Sequence, residues 1–282
     1  MSHRIALGTL VFVLALSPLD AAAQKARRAP LATPAPTAVA APAAVPAPAT
    51  IPAPSTPAEI ARAAGRKLDA FQAQEARAAL EPLVPQAASN ADVAIAYGRL
   101  LEQERKYDES TSVLQKAAVA APSDPRVPLW LGETFLRQRK TAEADAAFRK
   151  AEELAASAVV SSPSNVDALV VRGAALSRLR RFDEAIVVLG RARELDGARA
   201  ETLYQMGATR AFQQQWSEAV TLLTETVAKD TGRAMAYYYR GLAYDKLGRK
   251  DLMVLDLDRF VKLAPGAPEA ERARAVLAGA SR

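Results

Sequence analysis

Gly173-Ala174-Ala175-Leu176-Ser177-Arg178-Leu179-Arg180-Arg181-Phe182-Asp183-Glu184-Ala185-Ile186-Val187-Val188-Leu189-Gly190-Arg191-Ala192 is the stretch from which the fold can be read. A glycine stands nine residues ahead of an aromatic-acid-acid-small quartet, and Leu189 and Ala192 follow four and seven residues after Ala185. The glycine recurs: Gly98, Gly132, Gly173, Gly207 and Gly241 are separated by 34, 41, 34 and 34 residues, the long step being one period plus seven. The quartet recurs as Tyr107-Asp108-Glu109-Ser110 and Trp216-Ser217-Glu218-Ala219, while Thr141-Ala142-Glu143-Ala144 keeps Glu and Ala without the aromatic. Leu114, Phe148 and Leu223 take the place of Leu189, and Ala117, Ala151 and Thr226 that of Ala192. A fixed period of this length marks a stacked array rather than one closed core.

Ala, Leu, Arg and Glu dominate the units, with Gly and Pro pushed towards the turns, as helices require. Two short amphipathic helices bury too little surface alone, so each unit relies on its neighbour. These columns resemble the tetratricopeptide repeat, a pair of antiparallel helices of 34 residues. The resemblance implies an all-α, right-handed α-solenoid, with the glycine and the two small positions where neighbouring helices approach most closely. Five units are expected at 91–124, 125–165, 166–199, 200–233 and 234–267, the last departing from the pattern at Lys250 and Met253. Ala76, Leu80 and Leu83 lie 34 residues before Ser110, Leu114 and Ala117, which places a degenerate unit at 58–90 with a second helix weakened by Pro82 and Pro85. Residues 268–282, starting with a helix from Pro268, read as a terminal cap with a polar face of Glu269, Glu271, Arg272 and Arg274. The seven extra residues of 125–165 make about two helical turns, so Ala151–Val160 lengthens the second helix without rotating its apolar face. They are expected to be a tolerated surface insertion, with a functional contact as the alternative.

Residues 1–23 read as a secretory signal. Arg4 precedes an apolar run at Ile5–Leu16, Pro18 breaks it, and Ala21-Ala22-Ala23 sets cleavage before Gln24. Twelve apolar residues are too few to span a bilayer. An uncleaved anchor is the alternative, and acylation as a lipoprotein is excluded because no cysteine follows. Residues 24–57 hold 12 Ala and 9 Pro among 34, a linker without apolar period that favours extended polyproline II. The setting expected is the bacterial cell envelope, periplasmic or secreted.

Chemistry is narrowly bounded. There is no cysteine, and His3, inside the signal, is the only histidine, so triad catalysis, a histidine base and ordinary zinc or copper sites are excluded from the mature chain. Neither GxxxxGK[ST] nor GxGxxG occurs. Carboxylate pairs such as Glu152-Glu153 or Asp256/Asp258 do not share a helix face. No enzyme, metal or cofactor is expected. The net charge of +6 falls to +3 once Lys25, Arg27 and Arg28 are set aside, and the remainder is interleaved in sign. That argues against nucleic acid, which needs a concentrated basic face.

By resemblance, the first helices line a concave groove that docks a protein partner. Its positions run through Asp92, Ile95, Arg99 and Glu102; Arg126, Leu129, Glu133 and Arg137; Asp167, Val170, Ala174 and Arg178; Tyr204, Ala208 and Phe212; and Tyr238, Leu242, Asp245 and Lys246. Arg99, Arg137, Arg178, Tyr204, Phe212, Tyr238 and Leu242 are the candidate contacts, charges that orient a peptide or helix and apolar side chains that anchor it. Tyr237, Tyr239 and Tyr244 are assigned to packing. The carboxylate clamp of the chaperone-binding subclass is absent, because its Asn position holds Arg99, Glu133, Ala174, Ala208 and Leu242. The function expected is a non-enzymatic scaffold or assembly factor of the envelope. The alternatives are a self-associating structural component and a glycan-binding module.

Overall fold

The computed structural model describes residues 56–280; the expected signal at 1–23 and nearly all of the 24–57 tract lie outside them. Helix formation starts at Thr56. Its hydroxyl accepts the Glu59 N–H at 3.2 Å and the Glu59 carboxylate accepts the Thr56 N–H at 3.0 Å, a reciprocal cap that launches α1 (Pro57–Asp69) one residue ahead of the expected boundary. A second helix, α2 (Ala73–Leu80), stops after eight residues and tightens into a 3₁₀ turn over Glu81–Gln86, where Pro82 and Pro85 remove the donors an α-helix would need.

Five full pairs follow: α3 (Ala91–Gln103) with α4 (Tyr107–Ala120), α5 (Arg126–Arg137) with α6 (Thr141–Ser161), α7 (Val166–Arg178) with α8 (Phe182–Leu195), α9 (Ala200–Phe212) with α10 (Trp216–Lys229), and α11 (Ala234–Lys246) with α12 (Lys250–Leu263). Helix α13 (Pro268–Ala280) ends the array. The described residues contain no strand. Each helix packs on those next to it in sequence, and each first helix also meets the first helix of the next unit, so the molecule is an α-solenoid.

The glycine column sits where first and second helices touch. A Cβ on Gly132 would stand 2.5 Å from Phe148 Cε1, one on Gly207 2.7 Å from Leu223 Cγ, and one on Gly98 3.0 Å from Leu114 Cγ. Leu189 closes off Gly173 in the same way. The recurring large residue is thus the knob that the missing side chain admits.

A second column closes the turns. Arg105, Arg139, Arg180, Gln214 and Gly248, each seven residues past a ladder glycine, have φ between 61° and 74°. They are left-handed C-caps. The next residue's N–H reaches back five positions, as from Lys140 to the Phe135 carbonyl and from Arg181 to the Leu176 carbonyl, both 2.9 Å.

The longer α6 is structural. It has 21 residues against 14 in α4, α8, α10 and α12, and the extension buries Ala155 and Val159. Val159 joins Ala168, Leu169 and Ala192 in a cluster shared with α7 and α8. The extension therefore adds to the core along one face and leaves Ser157, Val160 and Ser161 exposed on the other.

Candidate functional site

The first helices α3, α5, α7, α9 and α11, with the end of α1 and the start of α13, enclose a concavity of about 440 Å³. Two kinds of side chain stand out in its wall, beside aliphatic residues such as Leu129, Val170 and Val171.

The first is arginine. Arg99, Arg126, Arg137, Arg178, Arg199 and Arg233 line the concavity together with Asp69, Glu102, Glu133, Asp167, Glu201 and Glu269, so six cations face six anions. The pairing is ordered, with each guanidinium reaching back to the preceding first helix. Arg99 binds Asp69, Arg126 binds Asp92 at 2.6 Å, Arg137 binds Glu102 at 3.2 Å, Arg178 binds Glu133, Arg199 binds Asp167, and Arg233 binds Glu201 at 2.7 Å. Burial tends to raise the Asp92 carboxyl, but hydrogen bonds from Arg62 and Arg126 outweigh it and hold its pKa below the usual value. Glu102 goes the other way: burial, reinforced by Glu133, raises it despite Arg137. The guanidiniums of Arg137, Arg178 and Arg233 lose solvation on burial, yet their carboxylate partners raise their pKa values and keep them charged.

The second is aromatic. Trp130, Tyr204 and Tyr239 line the concavity. Arg99 lies 4.3 Å from the Trp130 ring centre and Arg233 5.0 Å from that of Tyr204. Tyr239 stands edge-on to Phe212 at 5.5 Å and 6.4 Å from Tyr204. Burial raises both phenols, so they stay neutral and act as hydrogen-bonding, stacking groups.

Of the seven candidates, Arg99, Arg137, Arg178 and Tyr204 line the concavity. Tyr238 does not. It is 5% exposed, packs 5.0 Å from Phe260 and belongs to the C-terminal core, because α12 and α13 cover the side of α11 that corresponds to Tyr204 on α9. Leu242 packs half-buried on the same core. Phe212 lies beneath the wall, with Arg178 5.5 Å from its ring centre. Tyr239, assigned to packing from the sequence, does pack on the cores around Tyr238 and Ala236, and it also lines the concavity. Its column at Trp130, Val171, Gln205 and Tyr239, two residues before the last four ladder glycines, lines the wall, whereas Ala96 ahead of Gly98 is buried in the core. That column, followed along the chain, is the signal that could have found it.

A family model for the tetratricopeptide repeat matches residues 129–200 and 204–268. This is a tetratricopeptide-repeat protein. TTC0263, a thermophilic tetratricopeptide-repeat protein of Thermus thermophilus, is similar in fold at a TM-score of 0.51, with 20% identity over 66% of this chain and 96% of that one. Human IFIT1, solved as a dimer with PPP-AAAA, gives a TM-score of 0.52 with 12% identity over 73% of this chain and 50% of that one. No curated protein sequence matches the chain. The matched ranges contain α6, α7, α8, α10, α11 and α12 entirely and most of α5 and α9, and they leave α1 to α4 outside, so the repeat array extends beyond what the family pattern alone detects.

Proposed function

We propose that this tetratricopeptide-repeat protein is a non-enzymatic scaffold of the bacterial cell envelope that docks a segment of a partner protein in its concave face. The carrying observation is the wall itself: Trp130, Tyr204 and Tyr239 offer rigid anchors, the first two held by stacked Arg99 and Arg233 and the third by neighbouring rings. Each wall arginine already has a carboxylate partner, so the face has no surplus charge of the kind a phosphate backbone requires. A protein segment whose own charges can exchange with those pairs suits it better. The signal at 1–23 supports export, and the Ala/Pro tract gives the array a tether with a reach of up to roughly 100 Å at about 3.1 Å per residue.

Selection of peptides from a displayed random library on the purified chain tests the docking reading. Selected peptides are expected to lose about ten-fold or more in affinity on Trp130→Ala or Tyr239→Ala, with helicity by circular dichroism unchanged. Peptides that bind these variants as well as the parent would place the contact elsewhere. Export is tested by mass spectrometry of the protein from an envelope fraction, where the first residue should be Gln24; an intact Met1 in the cytoplasm would refute it.

A further inference from the structure

The two ends of the array meet across the concave face. Asp69, the last residue of α1, accepts from Arg99 of the next unit and also from Arg233 Nη2 at 3.3 Å, across 164 residues of chain. Arg137 on α5 donates to Glu269 on α13 at 2.9 Å, across 132 residues. Phe71, beyond α1, packs on the C-terminal core around Ala234 and Tyr238. A Cβ placed on Gly232 would lie 3.4 Å from the Ala70 Cβ. Four contacts at separate points thus bring the first unit and the cap round to the rest of the array.

The closure is narrow: two ion pairs with the Phe71 packing and the Ala70–Gly232 approach beside them, against helix-to-helix packing along the solenoid. Asp69 and Glu269 keep 24% and 19% of their side-chain surface exposed, so water and salt can compete for both pairs. It is also incomplete. Buried Glu269 Oε2 and Gln103 Oε1, on residues that line the concavity, have no hydrogen-bond partner, and an unmet buried acceptor favours a state in which it is met. We propose that Asp69–Arg233 and Arg137–Glu269 form a latch that holds the solenoid as a ring, and that a partner segment gains the concave face only when the latch opens. The docking reading above underlies the second half of that statement; the ring itself does not depend on it.

The chain has no cysteine, so a probe can be placed without background. A disulfide spans about 3.5–4.5 Å between Cβ atoms, close to the separation at Ala70 and Gly232. The double variant Ala70→Cys/Gly232→Cys, oxidised at low protein concentration, is expected to form a monomeric cross-link that reductant reverses, while either single variant gives none. Adding Arg137→Gln, or about 1 M salt where the Debye length is near 3 Å, should slow that cross-link about five-fold or more with helicity retained. Library-selected peptides should bind the reduced double variant about ten-fold more tightly than the oxidised one. Failure to cross-link would overturn the ring, and a rate indifferent to salt and to Arg137→Gln would overturn the latch. Equal peptide affinity in both redox states would overturn the gate. A chain that selects no peptide at all would sink the docking reading and the gate with it, while the cross-link would still report on the ring.

Discussion

At the scale of single residues, two columns tied to one period do opposite things. The glycines are there for what they lack: Gly173→Ala would drive a methyl into Leu189, and overpacking of that kind costs about 1–3 kcal/mol. Urea unfolding of that variant should show the loss, and a midpoint at the parent value would refute the close approach. The turn column carries a penalty already, since Arg105, Arg139, Arg180 and Gln214 hold a left-handed backbone that costs non-glycine residues about 1–2 kcal/mol. Arg180→Gly should therefore raise stability by up to about 1 kcal/mol, after allowing for the looser unfolded chain. A lower midpoint would show that the Arg180 side chain outweighs its backbone. The first column was plain in the sequence because glycine is its only residue. The second was not, because glycine occupies it once, at Gly248. Tyr238 and Tyr239 mark the other boundary of legibility. One residue is about 100° on a helix, and which ring faces outward is decided by α12 and α13 covering α11, something a period within the repeats does not record.

At the scale of elements, the sequence placed the helices well and their partners less so. One helix pair lies within each of 91–124, 125–165, 166–199, 200–233 and 234–267, and α2 stops just before Pro82. The extension of α6 buries more than a surface insertion would, at Ala155 and Val159; a seven-residue insertion keeps the apolar face without revealing what covers it. Val159→Ala should cost about 2 kcal/mol by lost burial, measured by thermal or urea unfolding; no change would return the extension to the surface. The ion pairs between first helices were also missed, although Arg and carboxylate recur 30 to 35 residues apart at most junctions. Asp92 shows what one such pair does, joining Arg62 of α1 at 3.0 Å and Arg126 of α5 at 2.6 Å. Its folded pKa lies below its unfolded value, so its contribution is present above about pH 3.9 and is lost as pH falls through the lower folded value. Asp92→Asn should cost about 1.5–3 kcal/mol at neutral pH, with the gap to the parent closing in acid. Urea titrations of both chains across that range would check it, and a gap that stays constant would refute it.

At the scale of the whole molecule, the repeats supply a wall, and the ends determine whether it is open. Neither the ring nor its latch was legible in the sequence, since contacts across 132 and 164 residues follow from accumulated curvature rather than from any local pattern.

The reaching-back arginines also bear on how such an array can grow by duplication. The Arg233–Glu201 pair lies wholly inside 200–233, so a second copy of that segment would bring its own pair with it. A second copy of 125–165 would instead set its Arg126 against the Arg126 of the copy before it, in the place where Asp92 now stands, and would offer Leu136 where Arg137 needs Glu102. One segment is a spare part and the other is a keyed joint. Insertion of a second 200–233 should yield a folded, longer solenoid, whereas insertion of a second 125–165 should unfold at lower denaturant, and the order of units along this chain is constrained accordingly.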